Sequence, residues 1–167
     1  MAEVWDAQWL TNGGPKHVAL EAALGAHLDA GNLSLFNNGT IALITACQAL
    51  RLSGEVITTP FTFAATPHVL SWNNITPVFA DIDPVTMNLD PRNIEPLITN
   101  RTSAILAVHV FGTPCDVEGI KAIADRNGLN VIYDGAHACG NTVGGESVTF
   151  CGAAPMHSFP ATKRFPT

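Results

Sequence analysis

The composition of this 167-residue chain excludes several classes of protein. Hydrophobic residues make up 47% of it and charged residues 13%, with a formal net charge of −6. An acidic chain without a basic patch is unsuited to binding nucleic acid. No apolar stretch approaches the roughly 20 residues that span a membrane. The length predicts one domain over residues 1–167, and the shortage of charge predicts that a partner subunit or a missing neighbouring domain covers part of the surface.

Two features predict a cytoplasmic location. Glu3 and Asp6 stand near the first residue, where a secretory signal peptide would carry positive charge. The cysteines are spread out without a C-x-x-C pair, which favours reduced thiols over a disulfide framework.

The hydrophobic pattern predicts short strands that alternate with helices. The first predicted elements are a helix in GPKHVALEAALGAHLDAG and a helix from about Thr40 to Leu52 that Gly54 stops, followed by a strand EVITT, a short helix FAATPHVLSWNN and a strand TPVFADI. The segment DPVTMNLDPRNIEPLITN is expected to be a loop with a short helix, and it precedes a strand SAILAVHV. We then expect a helix VEGIKAIADRNG, capped by Asp116 and ended by Gly128, a strand in LNVIYDGAHA, and weaker strands at 147–151 and 155–159. This alternation is typical of an α/β fold with a largely parallel sheet covered on both faces.

Ligands of open parallel sheets bind outside the carboxyl ends of the strands. This rule selects His109 and the stretches 38–40, 60–63, 134–137 and 158–163 as candidate site residues. In NNGTIAL a glycine turn precedes a helix, so free backbone N–H groups and the helix dipole favour an anion there, and Thr40 adds a hydroxyl donor. Simple capping of the helix by Asn38 is the alternative interpretation.

The motif YDGAHA places a carboxylate at the end of a strand. Asp134 could meet a ligand cation, and His137 could donate a hydrogen bond to a ligand oxygen. A capping aspartate beside a packed histidine would give the same pattern. Asp134, His137 and Cys139 are also potential metal ligands, although their spacing matches no standard zinc site.

The segment HSFPATK holds a hydroxyl, Ser158, and a lysine, Lys163, in apolar surroundings. A desolvated lysine can attack a carbonyl and form a Schiff base. An exposed surface lysine is the simpler interpretation of one residue. An anion site, a carboxylate and a lysine at the strand ends of one sheet together suit a phosphorylated aromatic aldehyde.

Six ordered motifs that cover nearly the whole chain resemble those of the DegT/DnrJ/EryC1/StrS sugar aminotransferases, which are pyridoxal-phosphate enzymes of fold type I. NNGTIAL resembles N-G-T-x-A-L, SGEVITTPFTFAAT resembles G-D-E-V-I-x-P-x-x-T-F-x-A-T, and PVFADIDPVTMNLD resembles P-V-F-x-D-I-D-x-x-T-x-N-x-D. AVHVFGTPCDVEGI is similar to V-H-L-x-G-x-P-x-D-x-x-x-I, YDGAHACG to E-D-A-A-(Q/H)-A-x-G, and HSFPATK to S-F-H-x-T-K.

The resemblance implies a three-layer α/β/α fold with a mostly parallel sheet, the large domain of such a transferase without its C-terminal small domain. It implies that pyridoxal 5′-phosphate forms a Schiff base with Lys163, while Asp134 pairs with the pyridinium nitrogen. The other implied cofactor contacts are His137 near the phenolic oxygen, Phe63 stacked on the ring, and Gly39, Thr40, Ile41 and Ser158 at the phosphate.

The function that the resemblance implies is transfer of an amino group, with glutamate as donor, to a keto group of a nucleotide-linked sugar, in a homodimer. The chain departs from the family motifs at several positions: Pro160 replaces a histidine, Gly135 and Ile41 replace common alanines, and GEV lacks the aspartate of G-D-E-V. The family chains continue beyond the lysine into a C-terminal domain. An inactive remnant that retains only cofactor binding or assembly is therefore the alternative, ahead of a lysine-dependent aldolase or a metal enzyme.

Overall fold

The computed structural model describes residues 2–138, 140, 142–143, 146–147 and 151–159, in two compact units, Met1–Phe36 and Asn37–Thr167. The first unit contains helices α1 (Ala2–Ala7) and α2 (Pro15–Leu28). Helix α2 confirms the first predicted helix, because Pro15 favours the first turn and Asp29 ends the helix in a left-handed conformation. Helix α1 was not predicted from the sequence.

The centre of the second unit is a four-stranded parallel sheet. Its strands are β1 (Glu55–Thr58), β2 (Thr76–Phe79), β3 (Thr102–Val108) and β4 (Asn130–Asp134), in the order β2-β1-β3-β4. The chain runs from β1 to β2 on one side and then returns to β3 on the other side of β1. The strand order therefore reverses between β1 and β3, and open sheets bind their ligands outside the carboxyl ends at such a reversal.

Helices cover both faces of this sheet. Helices α3 (Gly39–Ala49) and α4 (Ala65–Trp72) pack on one face, in a buried cluster with Ala104 and Leu106 of β3. Helix α5 (Val117–Asn127) packs on the other face, in a cluster with Ile105 and Ala107. Because alternate residues of β3 enter opposite clusters, the strand is buried on both sides. The three-layer α/β/α fold and the parallel sheet are confirmed.

Local capping explains where two of these helices begin and end. The Asp116 carboxylate accepts a hydrogen bond from the Gly119 N–H (2.9 Å), and Gly128 ends α5 with a φ of 64°. Helix α3 ends at Ala49, earlier than predicted, because Arg51 already has a φ of 51°. Short 3-10 turns lie at Pro91–Asn93, Glu95–Leu97 and Val110–Gly112.

The two strands predicted near the end of the chain are wrong in extent. A short antiparallel pair forms instead from β5 (Thr142–Val143) and β6 (Glu146–Ser147), and residues 148–150 lie outside the described part. Within 155–159 a single residue, Met156, bridges to Asp134. Pro155 has no N–H to donate to a ladder, which limits pairing here. Among the described helices, none is both long and apolar enough to cross a membrane.

Gly54, the residue before β1, should be essential for the stability of the sheet. Its φ is +70°, and a Cβ there would lie 2.4 Å from the carbonyl oxygen of Arg101, which accepts the Glu55 N–H. We expect Gly54→Ala to lower the free energy of unfolding by more than about 2 kcal/mol, measured by urea denaturation.

Gly128→Ala is the matched control. Gly128 has a similar φ of +64°, but a Cβ there would have nothing within 4 Å. This substitution should cost only the left-handed backbone penalty, about 1 kcal/mol. An equal decrease in the free energy of unfolding for the two variants would show that the close approach of the Arg101 carbonyl oxygen does not add to the destabilisation by Gly54→Ala.

Candidate active site

A cavity of about 350 Å³ opens at the carboxyl edge of the sheet in the second unit, a size that suits a small-molecule ligand. It brings together most of the predicted site residues, from the N-terminus of α3, the loop before α4, the end of β4 and the segment that follows Met156. Those that line it are Gly39, Thr40, Phe63, His109, Asp134, His137 and Ser158. Lys163, Pro160 and Cys139 lie outside the described residues.

Asp134 ends β4 and is fixed by hydrogen bonds from two other groups. One carboxylate oxygen accepts from the Thr66 hydroxyl (2.8 Å), and the other accepts from the Ala136 N–H (3.1 Å). The Thr62 hydroxyl lies 2.8 Å from that of Thr66. Because Thr66 has one proton and donates it to Asp134, Thr62 must be the donor to Thr66. The carboxylate is therefore held in one orientation.

The Asp134 carboxylate is buried without a strong cation beside it. Its residue is only 5% exposed, and none of the ion pairs formed by Lys or Arg among the described residues includes it. The nearby His157 is a poor substitute, because burial lowers its pKa, an effect that the charge of Asp134 opposes. A buried carboxylate is costly unless it is paired. The site therefore favours a ligand with a cationic N–H group.

The N-terminus of α3 lines the cavity, and one of the three backbone donors predicted for an anion is already occupied. The Asn38 side chain accepts a hydrogen bond from the Ile41 N–H (2.9 Å), so this donor already has a partner. Gly39 and Thr40, in the first turn, have no acceptor within the helix. A Cβ on Gly39 would lie 3.4 Å from the Ser158 hydroxyl. The space between α3 and Ser158 is thus open because residue 39 is glycine.

Aromatic side chains border the cavity. Phe63 is 77% exposed, so one face of its ring is available to a flat ligand. The His137 ring lies parallel to that of Phe111, with centroids 6.5 Å apart, and Phe111 meets Phe61 edge to face at 6.3 Å. Phe111 is held there with a φ of 51°, which is strained for a residue with a bulky side chain. Of these rings, Phe63 and His137 line the cavity, and Phe111 packs beside His137.

His109 follows β3 and is buried in the wall of the cavity. Its Nδ1 accepts a hydrogen bond from the Cys115 N–H (3.0 Å), and its ring stacks on Tyr133 with centroids 4.9 Å apart. Burial lowers its pKa to about 4, and the neighbouring His157 adds to the effect. At neutral pH His109 is therefore uncharged.

The glycine that replaces the family's alanine at position 135 has a local reason. A Cβ on Gly135 would lie 2.9 Å from the Met156 carbonyl oxygen and 3.2 Å from the His157 ring. That carbonyl accepts the Gly135 N–H (2.8 Å), so the two chain segments are in close contact. Glycine thus lets the segment that carries His157 and Ser158 approach Asp134.

Thr66 is a site residue that the sequence analysis missed. Its partner Asp134 is 68 positions away, so the pattern around Thr66 contains no trace of the contact. The sequence signal that could have identified Thr66 is a hydroxyl side chain three residues after Phe63, at the start of a helix that follows the end of a strand. No group of three or more His, Cys, Asp or Glu residues in the described ranges is arranged to hold a metal ion.

Curated relatives resemble nearly the whole chain. It is 56% identical over 147 residues to a dTDP-4-amino-4,6-dideoxy-D-glucose transaminase of Escherichia coli, a match that covers 87% of this chain and 40% of the relative. An enzyme of the same name from Shigella dysenteriae is 52% identical over 164 residues, covering 98% and 45%. The chain thus spans less than half the length of these relatives.

Solved structures agree with these matches. DesI, crystallised in the presence of its TDP-sugar product, superposes with a TM-score of 0.93 at 42% identity, covering 97% of this chain and 41% of DesI. NtdA from Bacillus subtilis, with bound cofactor PMP, gives a TM-score of 0.88 at 30% identity over 99% of this chain and 37% of NtdA. The sequence profile of one family matches residues 1–167. The chain belongs to the DegT/DnrJ/EryC1/StrS aminotransferase family.

Proposed function

We propose that this chain forms the pyridoxal-phosphate site of an aminotransferase acting on a nucleotide-linked keto sugar. The observation that carries the proposal is the buried, hydrogen-bonded carboxylate of Asp134 in a cavity that also contains a helix N-terminus. Pyridoxal phosphate has groups that match both, a ring nitrogen that can carry a proton and a phosphate. The names of the similar transaminases support the same chemistry.

The phosphate end of the cavity fits the proposed cofactor. Gly39 and Thr40 offer backbone N–H groups at the positive end of the α3 dipole, and Thr40 and Ser158 add hydroxyls. A Cβ on Gly39 would come within 3.3 Å of the Met156 sulfur and 3.4 Å of the Ser158 hydroxyl, closing the space that phosphate oxygens need. The Ile41 N–H would bind the phosphate only if it gave up its hydrogen bond to the Asn38 side chain.

When bound, pyridoxal phosphate supplies an aldehyde that takes up an amino group and a ring that withdraws electrons while its nitrogen is protonated. Asp134 would hold the proton on that nitrogen, and the Thr66 hydroxyl fixes the orientation of the carboxylate. Phe63 would cover one face of the ring and exclude water from it. His137 would donate a hydrogen bond at the edge of the ring. Lys163, by resemblance, would attach the cofactor and move a proton during the reaction.

The substrate is proposed to be a nucleotide-linked sugar with a keto group, and the amino donor to be glutamate. The two dTDP-4-amino-4,6-dideoxy-D-glucose transaminases favour amination of a 6-deoxy sugar at C-4. We also propose a homodimer. Phe63 and Phe111, which are 77% and 74% exposed, lie beside the cavity and would be protected from water by a second subunit. Residues supplied by that subunit could complete the sugar site.

Thr66→Val should weaken binding of pyridoxal phosphate about 10-fold, because Asp134 loses a hydrogen bond that fixes its carboxylate. Fluorescence titration of the cofactor measures this change. Thr66→Ser is the matched control, since it keeps the hydroxyl and should retain most of the affinity. Equal affinities for the serine and valine variants would contradict the role given to the hydroxyl.

Borohydride treatment of the chain with pyridoxal phosphate should fix the cofactor on Lys163, as located by peptide mass spectrometry. Lys16 and Lys121 are internal controls, because both are exposed and already paired with carboxylates. Lys163→Ala should abolish the label. Labelling of Lys16 or Lys121 alone, or none, would contradict the proposal.

Turnover of the bound cofactor decides between an enzyme and a remnant. Glutamate and a nucleotide-linked keto sugar should give an amino sugar with the wild-type chain and none with Lys163→Ala. Labelling at Lys163 without any turnover would favour the alternative of a chain that only binds the cofactor.

A further inference from the structure

We propose that Phe111 is a positioning residue, whose ring fixes the orientation of the His137 imidazole at the edge of the cavity. The inference rests on the proposed function, in which His137 meets the edge of the cofactor ring, and it goes further by explaining what keeps His137 in place. Three observations carry it: an unfavourable backbone conformation at Phe111, an exposed ring that the core does not need, and the parallel packing of this ring on His137.

The turn that follows β3 places Phe111 in a left-handed conformation. Phe111 has a φ of 51° and a ψ of 21°, and Gly112 has a φ of 85°. Across these two residues the Val110 carbonyl oxygen accepts the Thr113 N–H (2.8 Å). Positive φ at both central residues is the type I′ pattern, which favours glycine, asparagine or aspartate at the first of them. A phenylalanine at this position is therefore unfavourable for the backbone.

The side chain of Asn88 holds this turn in place. Its oxygen accepts the Val110 N–H (2.9 Å), and its amide nitrogen donates to the carbonyl oxygens of Thr113 (2.9 Å) and Pro114 (3.0 Å). Asn88 is buried, so these hydrogen bonds are shielded from water. Strained residues persist where the surrounding structure overdetermines the backbone, and they cluster at functional sites. The conformation of Phe111 is thus imposed by its neighbours and not favoured by its own side chain.

Packing in the core does not account for a phenyl ring at position 111. Phe111 is 74% exposed, and neither of the two buried clusters includes it. Burial therefore offsets little of the backbone cost. The ring instead packs parallel to that of His137, with an interplanar angle of 1° and centroids 6.5 Å apart, while Phe61 meets it edge to face at 6.3 Å. Both distances are within the range over which aromatic rings attract each other.

This ring contact restrains a side chain that has no other anchor in the described part of the chain. His137 lines the cavity, and its imidazole forms no hydrogen bond with any described residue. A side chain that must be ordered when a ligand binds reduces the affinity by the entropy that it loses. Packing on Phe111 limits the rotation of the imidazole before the cofactor arrives. The strained turn thus preorganises this edge of the cofactor site.

Phe111→Asn separates the backbone from the ring, because asparagine suits the left-handed turn but has no aromatic face. We expect the urea midpoint of unfolding to stay the same or rise, while binding of pyridoxal phosphate weakens about 5-fold. Phe111→Tyr is the matched control, since it keeps the ring and should retain most of the affinity. Unchanged affinity in Phe111→Asn would overturn the proposal. So would a fall in its urea midpoint, which would show that the ring serves the fold.

A double-mutant cycle tests whether Phe111 acts through His137. His137→Ala should itself weaken binding of pyridoxal phosphate. Adding Phe111→Asn to this variant should cause no further loss of affinity, because no imidazole remains to be positioned. A further loss of similar size in the His137→Ala background would overturn the proposal, since Phe111 would then act through another contact, such as one with a second subunit.

Nuclear Overhauser contacts in the wild-type chain decide the question if the variants do not fold. The ring protons of Phe111 should show contacts to the imidazole carbon-bound protons of His137, both without and with pyridoxal phosphate. Absence of these contacts in the wild-type chain with the cofactor bound would overturn the positioning role and leave the proposed function standing. Failure of the wild-type chain to bind pyridoxal phosphate would overturn the proposed function and this inference with it.

Discussion

The site depends on one constraint, a carboxylate buried at the end of a central strand without a lysine or arginine beside it in the described part of the chain. Asp134 is kept there by the Thr66 hydroxyl and the Ala136 N–H, while its own carbonyl oxygen accepts the His109 N–H (3.1 Å). Burial of such a negative charge is unfavourable unless a cation pairs with it. A protonated ring nitrogen would satisfy this requirement in the proposed site, because Asp134 lines the cavity.

The rest of the cavity follows from the topology of the sheet. The reversal of strand order between β1 and β3 leaves the carboxyl edge uncovered, and α3 directs its N-terminus to the same edge. Negative charge is favoured at α3, where Gly39 leaves room, and positive charge is favoured at Asp134. A ligand with a phosphate at one end and a cationic nitrogen at the other matches this separation of charge. The departure at Gly135 fits the same picture, since it lets the segment with Ser158 close one side of the cavity.

The sequence predicted best what depends on neighbours along the chain. The ends of α5 could be predicted from Asp116 and Gly128, because helix capping depends on residues that are close in sequence. The apolar strands that alternate with helices indicated the parallel sheet. The weak strands near the end were wrong because Met156 makes an isolated bridge, which has no pattern of its own. Ile41 was predicted to hold phosphate, yet the adjacent Asn38 takes the same N–H. Contacts between distant residues, such as the one from Thr66 to Asp134, could not be inferred from the motifs at all.

The most direct test of the account is the protonation state of the cofactor nitrogen. Pyridoxal phosphate labelled with ¹⁵N in the ring reports this state by its chemical shift when bound to the chain. We expect a protonated nitrogen at neutral pH in the wild-type chain and an unprotonated one in Asp134→Asn, which keeps the shape of the side chain but removes its charge. An unprotonated nitrogen in the wild-type chain, or the same shift in both proteins, would contradict the central role given to Asp134.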